Sequence, residues 1–538
     1  MWLFPVTAAV LAARYHVHML QLNFYVPGEY MGWCRRTWKM IVPHGISLAL
    51  VLVALMSFWM IESNDLNGIE MFSFVFPVAL VFILVHIFIH PLGIVMYWPH
   101  KAKKPLVYTP RVRRLMATIL ILIIILGLIT LMLVLYKSNN LKDSAILLVT
   151  LVAVPLPFAL MPLWMLLALA INQPIEKAIN RRYLRDAKRR LAEHPGLTVI
   201  GVTGSYGKTS VKFFLGGLLG VKYNVLITPE SYNTPMGVVR TIRERLLPTH
   251  EIFVCEMGAK RLGEIREICD IVSPRHGVIT SVGPQHLETF GSLENIKKTK
   301  FELVDALPPD GTLFLNGDDG NIAAYAGTRA AIRYGMGEGN DFRALDVSAD
   351  SRGTTFTVSA PDGPSENFST RLLGEHNVVN VTGAIAVAVS LGVPLARLRL
   401  AVSGLQPVPH RLELSGTPER LIIDDAFNSN PSGAAAALKA LALFDACRII
   451  VTPGMVELGP RQDELNQRFG EQIAEICHYV FLVGKKQTRP IYEGLMGAGY
   501  PPEKVFVVEQ VQEAVAAADA LPGQKKVILL ENDLPDDY

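Results

Sequence analysis

Charged side chains are scarce in this chain: Asp, Glu, Lys and Arg make up 18% of its 538 residues, and 51 basic residues balance 48 acidic ones. Such balance argues against a general nucleic-acid binder. Cysteine is also scarce, and the five cysteines form no Cys-x-x-Cys pair. This spacing argues against a disulfide framework or a zinc site and favours a reducing compartment. At roughly 100–200 residues per domain, the length predicts three or four domains.

Apolar residues are concentrated in the first third of the chain. Because a membrane helix needs about 20 apolar residues, we predict an α-helical transmembrane domain over residues 1–190, with spans at 41–61, 71–98, 115–136 and 145–171. Prolines inside these stretches are tolerated in membrane helices. The opening segment, Met1–Ala13, is apolar but short and lacks a cleavage site, so we expect an interfacial or re-entrant segment.

Loop charges predict the orientation of these spans. Lys and Arg cluster before the first span, between the second and third, and after the fourth, whereas the other loops carry few basic residues. We therefore predict a multi-pass protein of the inner membrane, embedded in the lipid bilayer, with catalytic domains in the cytoplasm. Two interpretations of the basic loops stay open, plain topology marking and contact with lipid phosphates. His86 and His90 could face a polar cavity or pack inside the helix bundle, and packing is favoured.

From Gly196 onward, short β-branched runs alternate with helical stretches. This alternation predicts α/β architecture with mostly parallel sheets. We predict strands in two groups, at 197–203, 251–256 and 277–282, and then at 421–424, 448–451, 479–483 and 527–530. The groups correspond to a P-loop-type ATPase domain over 191–405 and a smaller Rossmann-like domain over 406–538.

The strongest local motif is Gly201-Val-Thr-Gly-Ser-Tyr-Gly-Lys-Thr-Ser210, which lies between a predicted strand and a predicted helix. A phosphate loop needs small residues that let backbone N–H groups surround phosphate oxygens, a lysine for the terminal phosphates and a hydroxyl for Mg²⁺. Gly204, Gly207, Lys208 and Thr209 meet these needs. Val202 stands where the strict pattern has glycine, so the alternative is a helix N-terminus with an exposed lysine.

The loop resembles the ATP loop of the Mur ligases, and further motifs follow in that family's order. They include an asparagine-glycine segment, an acidic strand end, a histidine motif and a lysine motif, at Ser231–Gly237, Glu256–Ala259, Thr280–Gly291 and Lys297–Glu302. Later motifs lie at Asn316–Asp319, Gly374–Asn380, Pro409–Glu413, Asp424–Pro431 and Glu457–Gly459. The last two are similar to the D-alanyl-D-alanine-adding branch, MurF.

The resemblance implies an ATP-dependent amide ligase. A carboxylate takes the γ-phosphate to become an acyl phosphate, and an amine then displaces phosphate. Because charge builds on phosphoryl oxygens, the site needs cations more than acid–base groups. The family pattern implies nucleotide contacts from the loop and from later motifs, at Gly204, Ser205, Gly207, Lys208, Thr209, Ser210, Asn377, Arg411, Asp425 and Asn428. Asp424 is the alternative to Asp425, because a one-residue slip reverses the face of a strand.

The resemblance also implies two Mg²⁺ ions. Thr209 and Glu256 would bind the first, and His286 would bind the second together with a carbamate formed on Lys300. Without the family, Lys300 would be read as part of a solvated helix face. Asn233 would position the acceptor or the γ-phosphate. Phe427 could stack on adenine or pack in the core.

Three departures from the family bear on the substrates. The predicted spans stand in place of a domain that grips the UDP-sugar, the segment Pro453–Gly459 lacks an aspartate, and the end of the chain carries Glu531-Asn-Asp533 in place of Lys-Gly-Ser-Arg. We therefore predict a membrane-anchored ligase of cell-envelope synthesis that joins an amino acid or dipeptide amine, cationic amines included, to a small-molecule or lipid-linked carboxylate. One alternative is D-alanyl-D-alanine addition to UDP-muramoyl-tripeptide, with the membrane part as anchor. Another is a non-catalytic membrane scaffold.

Overall fold

The computed structural model describes residues 3–63, 68–98, 105–137, 152–230, 232–285, 287–323, 329–361, 363, 365–427, 429–456, 458–521 and 525–533. These residues form two compact units that divide between Asn180 and Arg181. The first unit is helical and the second is α/β.

The helical unit begins with a helix that is longer than the sequence indicates. Its helices are α1 (Leu3–Leu22), α2 (Pro27–Arg36), α3 (Trp38–Ser63), α4 (Gly68–Met96), α5 (Pro110–Lys137), α6 (Leu156–Ala159) and α7 (Met161–Ala192), the last of which continues into the second unit. Ala8, Ala12 and Val17 of α1 are fully buried in the core of the unit. The opening segment therefore belongs to a longer helix, and its interfacial or re-entrant placement stays a prediction.

The four-span membrane domain is not confirmed. Among the described residues, one helical stretch, Pro110–Met132, is long and apolar enough to cross a membrane. Within the described residues, the first and second predicted spans correspond to shorter apolar stretches, Trp38–Val53 and Leu80–Met96. Of the fourth predicted span, 145–151 lies outside the described residues, and the described part is interrupted between α6 and α7. A multi-pass membrane location therefore lacks support.

Buried histidines of the helical unit bond to the bundle itself. His86 Nδ1 lies 2.8 Å from the carbonyl oxygen of Phe82, and its Nε2 lies 3.3 Å from Ser47 Oγ. His90 is 2% exposed and lies beside the rings of His86 and Phe158. This arrangement favours the interpretation that both histidines pack inside the bundle.

The first sheet of the α/β unit has nine described strands in the order β2-β3-β1-β4-β5-β6-β7-β8-β9. Neighbouring strands from β2 to β7 are parallel, and β7, β8 and β9 pair antiparallel. The strands are β1 (Thr198–Thr203), β2 (Val225–Ile227), β3 (Ile252–Glu256), β4 (His276–Ile279), β5 (Leu313–Asn316), β6 (Ala331–Gly335), β7 (Phe342–Asp350), β8 (Gly353–Ser359) and β9 (Glu366–Thr370).

Helices cover this sheet and enclose two apolar cores. They are α8 (Lys208–Leu219), α9 (Pro235–Arg245), α10 (Glu264–Val272), α11 (Leu287–Phe290), α12 (Leu293–Ala306), α13 (Gly320–Ala323), α14 (Glu375–Ser390) and α15 (Leu398–Ser403). One core joins β1 to α8 and α14, and the other joins the sheet to α9, α10 and α12. Burial on both faces explains why the strands read as continuous β-branched runs.

The second sheet has six described strands in the order β10-β11-β15-β12-β13-β14, and only the β10–β11 pair is antiparallel. Its strands are β10 (Glu413–Thr417), β11 (Arg420–Asp425), β12 (Cys447–Thr452), β13 (Tyr479–Val483), β14 (Val505–Val508) and β15 (Lys526–Glu531). The helices around it are α16 (Pro431–Ala442), α17 (Gln462–Ile476), α18 (Arg489–Gly497) and α19 (Val511–Ala520). The predicted α/β architecture with parallel sheets is confirmed.

Candidate functional site

The phosphate-loop motif joins β1 to α8. Gly204 and Gly207 have φ values of 152° and 78°, which favour glycine, and Lys208 is the first residue of α8. Lys208 Nζ donates to the carbonyl oxygens of Gly204 and Ser205, at 2.6 and 2.9 Å. The side chain of Lys208 therefore folds back over the phosphate loop, beside the N-terminus of α8. A lysine and a helix N-terminus at the same place suit the binding of a phosphate group.

The loop is held in shape by the segment that follows β4. Ser205 N donates to Ser281 O at 2.8 Å, and Tyr206 N donates to Ser281 Oγ at 2.6 Å. Thr280 Oγ1 donates to the carbonyl oxygen of Tyr206. A Cβ added to Gly204 would lie 2.1 Å from Thr280 Oγ1, so only glycine fits there. The first residues of the histidine motif, Thr280 and Ser281, therefore support the phosphate loop through hydrogen bonds.

Glu256, at the end of β3, is the acidic centre of the site. Its Oε1 accepts from Thr209 Oγ1 at 3.1 Å and from Asn233 Nδ2 at 2.9 Å. Its Oε2 lies 2.9 Å from Lys212 Nζ, one helical turn after Lys208, and both side chains are at most 1% exposed. Burial alone would raise the pKa of Glu256, but Lys212 and Lys208 outweigh it and lower that pKa. The carboxylate is therefore ionised at neutral pH.

Lys300 lies in α12 and is only 2% exposed. Burial, and then the charge of Lys208, hold its pKa well below the usual value for lysine. No hydrogen bond from Lys300 Nζ to another described residue is present. The reading as a solvated helix face is therefore wrong: Lys300 lies on the buried face with Ile296 and Leu303. Burial thus favours the neutral form of this amine, which is the form that reacts with CO₂ to give a carbamate.

The residues at hand fit a Mg²⁺ ion at Glu256. This ion prefers oxygen ligands and keeps several waters and phosphate oxygens, so few protein ligands are needed. Thr209 Oγ1 and Glu256 supply such oxygens. Glu256 Oε2 forms an ion pair with Lys212 Nζ at 2.9 Å but has no well-aligned hydrogen bond among the described residues. No group of three or more His, Cys, Asp or Glu side chains gathers in the described part of the chain. His286, the predicted ligand of a second ion, lies outside it.

The motif at the start of α14 contains two asparagines with different partners. Asn377 Nδ2 donates to Leu373 O at 2.9 Å, within its own helix start. Asn380, one turn later, packs against the loop instead: its Oδ1 would lie 2.7 Å from a Cβ on Gly207. The structure therefore brings Asn380 to the phosphate loop, and the nucleotide contact expected of Asn377 stays a prediction. Both residues belong to the same motif, and helical spacing is the signal that could have found Asn380.

Arg411 extends from the second-sheet region towards the phosphate loop. Its Cζ lies 4.6 Å above the centroid of the Phe427 ring, which is 46% exposed. Burial lowers the pKa of Arg411, whereas Asp425 and Glu256 act to raise it. Burial, and the charge of Arg411, also lower the pKa of Lys208, to about 8 despite Glu256. Arg411 thus shares one electrostatic site with Lys208 and Glu256. Phe427 packs against Arg411 and is too exposed for a core residue, and its stacking on adenine stays a prediction.

The two aspartates at the end of β11 have separate partners. Asp424 Oδ2 lies 2.8 Å from His410 Nδ1, and Asp424 Oδ1 accepts from Ala426 N. Asp425 Oδ1 accepts from Leu412 N at 3.1 Å and interacts with Arg411. Asp425 therefore lies on the side of Arg411, and its contact with the nucleotide stays a prediction. Asn428 lies outside the described residues, and Ser210 is buried in α8.

Sequence reasoning missed Lys212 and noted Glu531 only as part of the acidic ending. Lys212 follows Lys208 by four residues on α8, a spacing that places both on one helix face. Glu531 ends β15, the strand that lies between β11 and β12, and no local pattern marks its partner. Asn466 bonds to both Met455 N and Met455 O and supports the loop after β12.

Two family descriptions match the α/β unit. Residues 202–388 match the Mur ligase middle domain, and residues 410–531 match the Mur ligase glutamate ligase domain. These ranges contain the phosphate loop, the first sheet except for the start of β1, and all of the second sheet.

Two curated relatives that are similar to this chain share one name. The chain is 31% identical over 379 residues to the UDP-N-acetylmuramoyl-tripeptide--D-alanyl-D-alanine ligase of Escherichia coli K12, covering 68% of this chain and 80% of that protein. It is 33% identical over 306 residues to the ligase of that name from Bacillus subtilis 168, covering 56% and 66%.

Solved structures agree with these relatives. MurF from Acinetobacter baumannii superposes with a TM-score of 0.60 at 27% identity, covering 66% of this chain and 77% of that one. MurF from Thermotoga maritima in complex with ADP gives a TM-score of 0.59 at 26% identity, covering 65% and 80%. The resemblance seen in the sequence is thereby confirmed, and the chain belongs to the Mur ligase family as a MurF-like ATP-dependent ligase.

Proposed function

We propose that this chain adds D-alanyl-D-alanine to the peptide carboxylate of UDP-N-acetylmuramoyl-tripeptide during peptidoglycan synthesis. The names of the curated relatives support these substrates. The observation that carries the proposal is the shared electrostatic site of Lys208, Glu256 and Arg411 around the phosphate loop. Among the alternatives, a non-catalytic scaffold is not favoured, because the phosphate-loop lysine and its acidic partner are both in place.

The proposed reaction has two steps. A carboxylate oxygen of the acceptor attacks the γ-phosphorus, and the bond from phosphorus to the ADP oxygen breaks. The amine then attacks the acyl carbon, a C–N bond forms, phosphate leaves and the amine gives up a proton. Lys208, the loop N–H groups and Arg411 would offset the charge on phosphoryl oxygens in both steps. Asp425 and Asn380 would contact the nucleotide from the two sides of the phosphate loop.

Mg²⁺ would be held by Thr209 and Glu256, with Asn233 fixing the carboxylate through its bond to Oε1. A second ion would be held by His286 and by a carbamate on Lys300. When bound, such ions neutralise phosphate charge. The buried amine of Lys300 suits carbamate formation because a neutral amine is required, and the carbamate would supply the oxygen ligand that a lysine lacks.

A second candidate acceptor is a lipid-linked or membrane-proximal carboxylate. The observation in its favour is the apolar helical stretch Pro110–Met132, which precedes the family match that begins at residue 202. In this variant, residues 1–190 would attach the enzyme to the membrane, residues 191–405 would bind ATP and residues 406–538 would close over the nucleotide. The linker near 405–409 would be the hinge.

Phosphate release from the full chain in detergent tests both candidates. UDP-N-acetylmuramoyl-tripeptide and its lipid-linked form are offered separately with Mg²⁺-ATP and D-alanyl-D-alanine, and Lys208→Ala is the blank. Turnover on the nucleotide-linked acceptor is expected. Turnover on the lipid-linked form alone would favour the second candidate. The absence of phosphate release with either acceptor would overturn the proposed substrates.

A further inference from the structure

Lys212 is a charged side chain of the ATP site to which the proposed mechanism assigns no role. It lies one helical turn after Lys208 on α8 and is fully buried. Its Nζ is 2.9 Å from Glu256 Oε2 and donates to the carbonyl oxygen of Glu230 at 2.5 Å. Because a buried ammonium group is costly unless it is paired, these two contacts fix its charge beside one oxygen of the carboxylate that would hold Mg²⁺.

The two oxygens of Glu256 have different surroundings. Oε1 accepts from Thr209 Oγ1 at 3.1 Å and from Asn233 Nδ2 at 2.9 Å, so it faces neutral groups. Oε2 has no well-aligned hydrogen bond among the described residues, but the ammonium group of Lys212 lies 2.9 Å from it. Like charges repel strongly at such short range in a buried site. A divalent cation is therefore bound at lower cost by Oε1, beside Thr209, than by Oε2.

The partners of Glu256 are themselves held in place. The carbonyl oxygen of Asn233 accepts from Gly258 N at 2.8 Å, and a Cβ on Gly258 would lie 2.7 Å from Asn233 Cγ. Lys212 is bound to the segment that precedes Asn233 through the carbonyl oxygen of Glu230. Rotation of the Glu256 carboxyl group would therefore weaken contacts on both of its sides.

We propose that Lys212 is a positioning residue that restricts Glu256 to one-oxygen coordination of the metal and thereby makes the site select Mg²⁺ over Ca²⁺. The inference rests on the proposed function, in which Thr209 and Glu256 hold Mg²⁺. Mg²⁺ needs near-octahedral geometry and few protein oxygens, whereas Ca²⁺ takes more oxygens and often both oxygens of one carboxylate. A carboxylate that offers only Oε1 suits the smaller ion.

The alternative role for Lys212 is that of a counter-ion and nothing more. Such a lysine would stabilise the fold and keep Glu256 ionised, and it would not affect which metal binds. A loss of stability on its removal is common to both roles. The ratio of the affinities for two metals separates them.

Calorimetric titration of the full chain in detergent with ADP, in saturating Mg²⁺ and separately in saturating Ca²⁺, tests the proposal. The ratio of the two dissociation constants reports the metal preference of the site. Lys212→Met removes the charge, and Lys212→Arg keeps it. Lys212→Gln also removes the charge but keeps an amide that can donate to Glu230, which covers the case in which Lys212→Met does not fold. Lys222→Met, which removes an exposed lysine beyond the C-terminal end of α8, is the matched control.

Wild type should bind ADP more tightly with Mg²⁺ than with Ca²⁺. We expect Lys212→Met and Lys212→Gln to shift the ratio towards Ca²⁺ by about tenfold, because Oε2 becomes available to the larger ion. Lys212→Arg and Lys222→Met should keep the wild-type ratio. A preference of wild type for Ca²⁺, or an unchanged ratio in either neutral variant, would overturn the proposal.

The same titrations distinguish failure of this inference from failure of the proposed function. Mg²⁺-dependent binding of ADP with an unchanged ratio in the neutral variants would reject only the role of Lys212. Binding of ADP to wild type with equal affinity in the absence of any metal would reject the Mg²⁺ site of the proposed function, and the inference with it.

Discussion

The buried ion pair of Lys212 and Glu256 gives a prediction with a definite magnitude. Both side chains are at most 1% exposed, and Lys212 Nζ lies 2.9 Å from Glu256 Oε2. Removing one partner of a buried pair leaves an uncompensated charge and costs about 3–5 kcal/mol. For a cooperative unit of the size of the first-sheet region, Lys212→Met should lower Tm by roughly 6–20 °C.

The assay is calorimetric unfolding of the full chain, with a double-mutant cycle. Lys212→Met combined with Glu256→Gln removes both charges and should recover most of the lost stability, because no unpaired charge stays buried. The matched control is Arg266→Met, which breaks an exposed pair with Asp270 and should cost less than about 1 kcal/mol. If Lys212→Met melts within 2 °C of wild type, a margin set by about 1 kcal/mol in such a unit, the pair does not hold the site together and the reasoning fails.

Three further predictions concern the ATP site. Gly204→Ala should abolish binding of a fluorescent ATP analogue, because the added Cβ would lie 2.1 Å from Thr280 Oγ1, and unchanged affinity would show that the loop adapts. ATP affinity should fall above pH 8 by at most tenfold per pH unit, since Lys208, whose pKa burial lowers to about 8, loses its proton there. A flat profile of the dissociation constant from pH 7 to 9.5 would contradict that assignment, and Lys208→Arg should flatten it. Activity should fall on removal of CO₂ and return with bicarbonate, with a carbamate signal in ¹³C NMR that Lys300→Ala lacks; full activity of CO₂-depleted enzyme would reject the carbamate.

Local motifs made the ATP loop predictable. A phosphate loop is built from consecutive residues, so its glycines, Lys208 and the start of α8 follow from the sequence alone. The buried strands were predicted for the same reason: β1 and β3 lie within one residue of their predicted bounds. β4 ends earlier than predicted, at Ile279, because the chain there leaves the sheet to support the loop.

Contacts between distant parts of the chain were not predictable. The partner of Glu531 depends on β15 entering the sheet between β11 and β12, and the burial of Lys300 depends on which face of α12 meets the first sheet. A signal for Lys300 did exist, since Ile296, Lys300 and Leu303 share helical spacing. In the first third, composition indicated four spans, whereas the described residues contain one stretch that meets the length and hydropathy of a span.

The most direct test of the central claim is isotope transfer from the acceptor to phosphate. UDP-N-acetylmuramoyl-tripeptide with an ¹⁸O-labelled carboxylate is turned over with Mg²⁺-ATP and D-alanyl-D-alanine, and the released phosphate is analysed by mass spectrometry. A ligase that forms an acyl phosphate must place one carboxylate oxygen in each phosphate. We predict phosphate that carries one such label, together with the amide product. Unlabelled phosphate would contradict the account, because it would show that water, and not the acceptor carboxylate, attacks the γ-phosphate of ATP.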